Sequence, residues 1–481
     1  MALVGQGSSG LVDLSAMTLE PEAIRRVPKQ LAMRHDILSI ASDGNQLTVA
    51  VADIEDHDAI DRVRLATGMH VRAVYAPRDA IRAALCSAYG NDRTDEAPSI
   101  RAIDDIHGRA IRANASDVHL EPARNGGRVR ERHDGILHEV QRIPEDLFAH
   151  VVSRIKLLAG MDIADKRAPQ DGRYNIEMQG RSIDARVSSM PTIFGEKLVV
   201  RLLDHHARVP ALEQLGMPSA YLAQYRRAIH APHGFVVVCG PTGSGKTTTL
   251  YASLAERNVD SQNLCSVEDP VEVRIPGVAQ VQVNPRAGVT FASSLRAFLR
   301  QDPNVIMVGE MRDAETAAVA ASAALSGQLV LTTLHSNDAP RTLERLLELG
   351  VARHTIAAGL TAIVAQRLVR RLCAQCRVCA AIESQDAADF AVSRVSFAYS
   401  PGGCSACQGT GYRGRTGIFE FIFVSDAVRD AIARGASSVQ IGSLAAENGY
   451  GSLLADGVRR ALSGETSFQE LRRVLTVGTG A

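Results

Sequence analysis

The sequence has no tryptophan, and aromatic residues occupy only 4% of its 481 positions. Aromatic side chains are the surfaces on which many proteins stack single-stranded nucleic acid, so their scarcity disfavours that function. The formal net charge is zero, and no overall basic field therefore attracts a polyanion. We accordingly expect no nucleic-acid partner.

Long hydrophobic runs are also missing. No apolar stretch reaches the roughly 18 residues that a membrane-spanning helix needs, and residues 1–10 lack the basic segment and apolar core of a signal peptide. We therefore expect a cytoplasmic chain, which could dock to a membrane protein. The length is typical of about two to four domains.

Lysine is rare, because only five of the 53 basic residues are lysines and the others are arginines. One of the five, Lys246, lies in the segment GPTGSGKT, which fits the phosphate-binding pattern G-x-x-x-x-G-K-[ST]. Glycines permit the tight turn that points successive backbone N–H groups at phosphate oxygens. Residues 235–239 read as a buried strand and residues 247–256 as a helix. This is the context that a phosphate-binding loop, or P-loop, requires.

The P-loop pattern predicts a role for each of its polar residues. Lys246 is expected to reach the β- and γ-phosphates of ATP, and the Thr247 hydroxyl is expected to ligate Mg²⁺. The helix that follows adds a favourable field for anions at its N-terminus. The expected nucleotide-binding residues are Gly240, Pro241, Thr242, Gly243, Ser244, Gly245, Lys246, Thr247 and Thr248.

Three further expected strands end in polar residues. Glu310 follows the apolar run 304–308, and His335 follows the run 329–334. Glu268 belongs to the segment 266–272, which places three acids around a proline turn at another strand end. The carboxyl ends of parallel strands line the ligand crevice of such a sheet, so we expect Glu310, His335 and Glu268 in one catalytic site. Glu310 would hold Mg²⁺ or orient the attacking water. Periodicity alone is equally consistent with a surface glutamate at this position.

Four cysteines form two C-x-x-C pairs, Cys373 with Cys376 and Cys404 with Cys407, separated by 27 residues. Two such pairs complete a tetrahedral thiolate site for zinc, and a site with four protein ligands is structural rather than catalytic. Disulfides are the alternative, but they are disfavoured in a cytoplasmic chain. Thioredoxin-like redox motifs use one pair, not two. Cys379 remains an alternative ligand.

Several blocks together resemble the secretion and pilus-assembly ATPases, the family of general secretion pathway protein E and the type IV pilus assembly ATPases. The resemblance runs from about residue 30 to residue 478. The matching blocks, in chain order, are 115–122, 169–173, the P-loop block 239–250, the acidic block 266–272, the block 302–316 that contains Glu310, the histidine block 329–340, and 411–420. One departure is Gln328, which stands where the family often has a histidine.

The resemblance implies a homohexamer with ATP bound between the P-loop domain and the domain that precedes it. It also implies that two arginines of the preceding domain, here Arg186 and Arg201, contact the phosphates and act in catalysis. Arginine at these positions would neutralise charge on the transferred phosphoryl group. The N-terminal domain resembles one that docks onto an inner-membrane secretion platform protein, and acidic phospholipid is a further candidate partner.

The fold class expected is α/β: a RecA-like P-loop ATPase domain with a zinc-binding insertion, preceded by two smaller α/β or α+β domains. The expected segments are a poorly ordered tail (1–20), an N-terminal docking domain (21–90), a linker (91–99), a second N-terminal domain with the arginines (100–205), and the ATPase domain (206–481), which includes the zinc-binding segment (370–420) and C-terminal helices (425–478).

The resemblance favours a motor that hydrolyses ATP to power pseudopilus assembly and protein export in type II secretion. A type IV pilus extension ATPase is the alternative, with the same enzyme and a different cargo. The short N-terminal region favours the secretion member. A nucleic-acid translocase is disfavoured by charge and composition, and a non-catalytic scaffold by the intact Lys246, Thr247 and Glu310.

Overall fold

The computed structural model describes residues 12, 14, 17, 19–54, 56–88, 97–178, 180–205, 208–392 and 397–475. The chain divides into two compact units, Met1–Asp104 and Asp105–Ala481. Most of the expected tail at residues 1–20, most of the expected linker at residues 91–99 and the end of the last expected helical segment lie outside the described residues. No helix within the described ranges is long and apolar enough to cross a membrane.

The first unit contains a three-stranded sheet with the order β1-β2-β3. Its elements are α1 (Pro21–Arg26), α2 (Lys29–His35), β1 (Leu38–Asp43), β2 (Gln46–Val51), α3 (His57–Thr67), β3 (His70–Tyr75) and α4 (Arg78–Ala88). Strands β2 and β3 pair in parallel. The sequence reading missed β1, which pairs antiparallel with β2.

The second unit begins with a six-stranded antiparallel sheet in the order β6-β5-β4-β9-β8-β7. Its elements, with the preceding helix, are α5 (Pro98–Arg112), β4 (Asp117–Ala123), β5 (Gly126–His133), β6 (Ile136–Ile143), α6 (Glu145–Leu158), β7 (Gln170–Met178), β8 (Arg181–Thr192) and β9 (Gly195–Leu203). We call this the arginine sheet, because it carries both arginines named above. The sequence reading missed β6, β7 and α6.

A seven-stranded sheet, the P-loop sheet, follows in the same unit with the order β12-β11-β13-β14-β10-β15-β18. The first part comprises α7 (Ser219–Ile229), β10 (Gly234–Cys239), α8 (Lys246–Arg257), β11 (Leu264–Glu268), β12 (Val278–Gln282), α9 (Phe291–Phe298), β13 (Val305–Val308), α10 (Ala314–Leu325), β14 (Leu329–Leu334), α11 (Ala339–Glu348) and α12 (Arg353–Gly359). The rest comprises β15 (Leu360–Leu372), β16 (Val378–Ala381), α13 (Ser384–Asp389), β17 (Phe397–Ser400), β18 (Tyr412–Phe423), α14 (Asp426–Arg434), α15 (Ser438–Glu447), α16 (Leu453–Leu462) and α17 (Phe468–Val474).

The P-loop sheet is parallel except at its β15–β18 edge. Every residue of β10, β13 and β14 is buried, and apolar clusters cover both faces. Strands buried on both faces read as continuous apolar runs, which is why the sequence revealed them. The order places β10 between β14 and β15. Because β10, β13 and β14 run parallel, the residues that follow these three strands lie together at the carboxyl end of the sheet.

The C-terminal part is helical after residue 425, as predicted. Ser425 caps α14, because its side chain accepts a hydrogen bond from the Val428 N–H. Such caps satisfy backbone donors that the first helical turn leaves unpaired. Between β15 and β18, the ribbon β16–β17 and the four cysteines form a small insertion at the antiparallel edge of the sheet.

Candidate functional site

The P-loop connects β10 to α8 and has the tight geometry that its glycines predict. Gly240 has φ 152° and Gly245 has φ 86°. A Cβ at Gly240 would lie 2.5 Å from the Gln366 carbonyl oxygen and from Ser244 Oγ, so only glycine fits there. The loop residues Pro241, Thr242 and Gly243 are exposed, whereas Ser244 and Lys246 are buried. Thr247 and Thr248 lie on the first turn of α8.

Two polar groups of the P-loop fit an anionic ligand. Ser244 Oγ is buried and has no hydrogen-bond partner within the described residues, and such an orphan group is costly unless a ligand satisfies it. Lys246 Nζ donates to the carbonyl oxygens of Gly240 and Pro241 at 2.9 and 3.0 Å. Burial lowers the pKa of Lys246, although the nearby carboxylates of Glu310 and Glu272 oppose this. A phosphate would stabilise the charged ammonium.

Glu310 lies beside His335, as the parallel sheet predicts. Its Oε2 is 3.4 Å from His335 Nε2, and its other oxygen is paired with the Arg312 guanidinium. Arg312 also lies 3.8 Å from an Asp269 oxygen, so it bridges the ends of β13 and β11. Sequence reasoning missed Arg312, because one arginine among so many carries no signal.

Glu268 is enclosed by structural partners. It is only 2% exposed, and it accepts hydrogen bonds from Ser266 Oγ at 2.7 Å, from Gln280 Nε2 at 3.0 Å and from the Tyr251 hydroxyl. The same hydroxyl accepts from the Glu272 N–H at 3.0 Å. This network fixes the turn after β11, and so it determines where Glu272 lies.

Glu272 is a second carboxylate of this turn, and it lines the cleft beside the P-loop. Burial raises its pKa, as does the neighbouring Glu268, while Arg201, Arg186 and Lys246 lower it. Two cations of the arginine sheet and the P-loop lysine therefore all favour the charged form of this one carboxylate. The sequence places Glu272 in the acidic block but indicates no role for it. The difference between the enclosed Glu268 and the cleft-lining Glu272 arises only when the turn folds.

Arg186 and Arg201 are direct partners on adjacent strands of the arginine sheet, so their side chains leave the same face. Arg201 Nε lies 3.2 Å from Asp117 Oδ1, and Arg186 Nε lies 3.6 Å from Asp184 Oδ2. Arg201 is the more exposed of the two, at 65% against 34% for Arg186. Each has only one carboxylate partner among the described ion pairs, which leaves guanidinium donors for a ligand.

A cleft of about 730 Å³ separates the arginine sheet from the P-loop. Its lining includes Arg132 and Arg201 on one side, and Thr242, Ser244 and Glu272 on the other. Arg186 lies instead in an adjoining depression of about 470 Å³, together with Arg173 and His205. The structure therefore gathers Arg201 and the P-loop around one cavity and places Arg186 next to it.

The four cysteines form a compact cluster whose sulfur atoms all lie within 4.8 Å of one another. The Cys373–Cys404, Cys376–Cys407 and Cys404–Cys407 sulfur distances are 3.9, 3.8 and 3.8 Å. A tetrahedron of thiolates with Zn–S bonds of about 2.3 Å has edges of about 3.8 Å, so the geometry fits zinc. Backbone N–H groups donate to two of the sulfurs, as is favourable for thiolates.

The sequence profile of the family described as Type II/IV secretion system protein matches residues 92–473, and that of the MshEN domain matches residues 8–95. The type IV pilus assembly ATPase PilB of Myxococcus xanthus is 39% identical over 496 residues, covering 96% of this chain and 88% of that protein. The type II secretion system protein HxcR of Pseudomonas aeruginosa is 47% identical over 383 residues, covering 80% of this chain and 78% of that protein.

A solved structure shows the same fold. The X-ray structure of the Legionella pneumophila ATPase DotB has a TM-score of 0.57 and 21% sequence identity, and the match covers 77% of this chain and 94% of that chain. At this level of identity the likeness concerns the fold alone, which is the α/β P-loop ATPase fold.

Proposed function

The chain belongs to the type II/IV secretion system protein family, and we propose that it is a hexameric motor that hydrolyses ATP to drive pseudopilus assembly in type II secretion. Membership makes it an ATPase of the secretion and pilus-assembly type. The observation that supports a catalytic rather than a scaffolding role is the cleft, where Thr242 and Ser244 of the P-loop lie opposite Arg201 of the other sheet.

Each part of the site has a proposed role in hydrolysis. ATP and Mg²⁺ would be held by the P-loop, with Lys246 on the phosphates and Thr247 on the metal. Glu310, oriented by His335, would position the attacking water or the metal. Arg201 and Arg186 would stabilise negative charge on the transferred phosphoryl group. Glu268 would act through the turn that it anchors, and Glu272 of that turn would interact with Lys246, Arg186 and Arg201.

The described geometry also supports a zinc ion at Cys373, Cys376, Cys404 and Cys407. With four protein ligands, the metal would be structural and would stabilise the insertion between β15 and β18. We further propose that the N-terminal unit docks onto an inner-membrane platform protein and that acidic phospholipid assists. The motor would then be peripherally bound to the cytoplasmic side of that membrane. The domain boundaries expected from the sequence remain part of this proposal.

A type IV pilus extension ATPase is the second candidate. The pilus relative from Myxococcus xanthus matches 96% of this chain, whereas the secretion relative from Pseudomonas aeruginosa matches 80%. The two candidates share the same chemistry and differ only in the filament that the motor assembles.

Deletion of the gene from its native host, followed by assays of exoprotein export and of surface pili, separates the two candidates. The type II proposal requires loss of export with pili retained. Complementation with Lys246→Ala must fail to restore export. Loss of pili with normal export would instead establish the pilus candidate, and loss of neither would contradict both.

A further inference from the structure

The edge strand β18 contains one extra residue where it pairs with β15. Arg370 is paired with Arg415, and Leu372 with Tyr412, so two steps along β15 correspond to three along β18. This is a β-bulge, in which a residue is left out of the hydrogen-bonded ladder. Gly414 lies in the bulge with φ 75°, and its N–H needs an acceptor from elsewhere.

That acceptor belongs to the arginine sheet. Asp134 Oδ2 accepts the Gly414 N–H at 2.8 Å, and Asp134 Oδ1 lies 3.6 Å from Arg415 Nε. Asp134 is the first residue of the two-residue turn between β5 and β6, with φ 48°, and Gly135 follows with φ 85°. The conformation of such two-residue hairpin turns is well defined, so the turn fixes the position of the Asp134 carboxylate.

A second attachment joins the segment that follows β9 to the turn that follows β11. His205 Nδ1 lies 2.9 Å from the Glu272 carbonyl oxygen, and the Arg274 N–H donates to the His205 carbonyl oxygen at 3.1 Å. Glu272 at this attachment lines the same cleft as Asp134 and Arg415 at the first. Two separated attachments fix an orientation, whereas one alone leaves a hinge.

We propose that Asp134 is a positioning residue for ATP hydrolysis: its contact with Gly414 and Arg415 closes the arginine sheet over the P-loop and holds Arg201 opposite Ser244. This proposal rests on the hydrolytic role of the cleft. Asp134 itself has no proposed contact with the nucleotide. It acts through the orientation of Arg201, whose contact with the phosphoryl group would strengthen in the transition state.

Asp134→Gly removes the carboxylate without straining the turn, because glycine adopts a positive φ readily. We expect kcat to fall about tenfold, as for loss of a hydrogen bond to a charged group. KM should change much less, because an interaction made mainly in the transition state affects kcat. Asp134→Asn keeps an acceptor for the Gly414 N–H and should restore most of the rate. Glu139→Ala, at an exposed acid on β6 paired only with Arg142 among the described ion pairs, is the matched control.

Hydrogen exchange supplies a readout that does not depend on activity. The peptide covering residues 412–416 should exchange faster in Asp134→Gly than in the wild type, with protection largely regained in Asp134→Asn. The other strands of the P-loop sheet should keep their protection in both variants. Wild-type kcat in Asp134→Gly, or unchanged exchange at residues 412–416, would overturn the proposal.

Lys246→Ala distinguishes failure of this inference from failure of the proposed site. If Lys246→Ala is inactive while Asp134→Gly has the wild-type rate, only the positioning role is wrong. If Lys246→Ala hydrolyses ATP normally, the cleft is not the hydrolytic site, and the role proposed for Asp134 falls with it.

Discussion

Single residues of the P-loop determine whether phosphate is bound at all, and the most decisive is Lys246. Lys246→Ala should abolish ATP hydrolysis, because the phosphates lose the cation that the loop delivers to them. Its carbonyl partners are parts of the P-loop itself, so the fold should be little affected. Steady-state ATPase assays test this, with the exposed Lys166 changed to alanine as a control that should remain active. Appreciable hydrolysis by Lys246→Ala would refute the site.

Glu310 should separate binding from turnover. Glu310→Gln keeps the size of the side chain but removes the charge that would act on water or metal, so ATP should bind and remain intact. Fluorescent-nucleotide titration and single-turnover hydrolysis report the two properties independently. A Glu310→Gln enzyme with near-normal turnover would show that this carboxylate has no catalytic part.

Substitution of Glu268 should mainly lower stability, whereas substitution of Glu272 should mainly lower the rate of ATP hydrolysis. Glu268→Ala removes the acceptor of three side chains in a buried place, and should lower the free energy of unfolding by about 1–3 kcal/mol. Glu272→Gln should leave stability nearly unchanged while lowering kcat. Thermal unfolding and ATPase assays on both variants decide between these roles, and equal loss of stability in both would contradict the distinction.

The pH dependence of activity provides a further check on Glu272. Burial raises the pKa of its carboxyl, so the charged form is lost at a higher pH than for an exposed glutamate. If the charged form is required, the acidic limb of the kcat/KM profile should lie correspondingly high, and Glu272→Gln should remove that limb. An identical limb in wild type and variant would assign it to another group.

At the scale of elements, the insertion between β15 and β18 should depend on its metal. We expect one zinc per chain, and Cys404→Ser should lose it and loosen residues 370–420 without unfolding the buried strands. The reason is that the P-loop sheet has its own core on both faces. Metal analysis and hydrogen exchange measure the two effects. Cys379→Ser is the control, because its exposed thiol lies outside the cluster; zinc loss in that variant would identify Cys379 as a ligand.

Elements whose signal is local could be predicted from the sequence, and those that depend on distant contacts could not. Strands β10 and β14 are buried on both faces and read as apolar runs, and the P-loop has its own spacing. Strand β7 has a mostly exposed or half-buried pattern and was missed, because its place at the edge of the arginine sheet is set by pairing with β8. The contact of Asp134 with Gly414 joins residues 280 positions apart, and no local sequence pattern indicates such a contact.

At the scale of the whole molecule, catalysis should require the arginine sheet to close on the P-loop. Arg201→Ala should lower kcat more than nucleotide affinity, because the guanidinium would act on charge that develops in the transition state. Arginine fingers contribute roughly 10³–10⁵ in kcat in GTPases, and a smaller effect is expected here if Arg186 shares the role. The contribution of each arginine is measured by comparing kcat and nucleotide affinity in Arg201→Ala, in Arg186→Ala and in the variant that carries both substitutions. Wild-type rates in all three would place the phosphate-contacting arginine elsewhere, with Arg173 the next choice.

The central claim is that ATP hydrolysis needs residues of both sheets held together, and that a ring of subunits stabilises this closure beyond what the contacts within one chain achieve. Heterologous contacts around a closed ring generate such assemblies, and closure brings the reacting groups into a productive arrangement. The most direct test is the ATPase rate per chain measured from dilute to concentrated protein, with the oligomeric state followed in the same samples by light scattering. We predict a low rate for the monomer that rises as hexamers form, and that rises much less in Arg201→Ala. A rate per chain that is high and constant from dilute monomer upward would contradict the account.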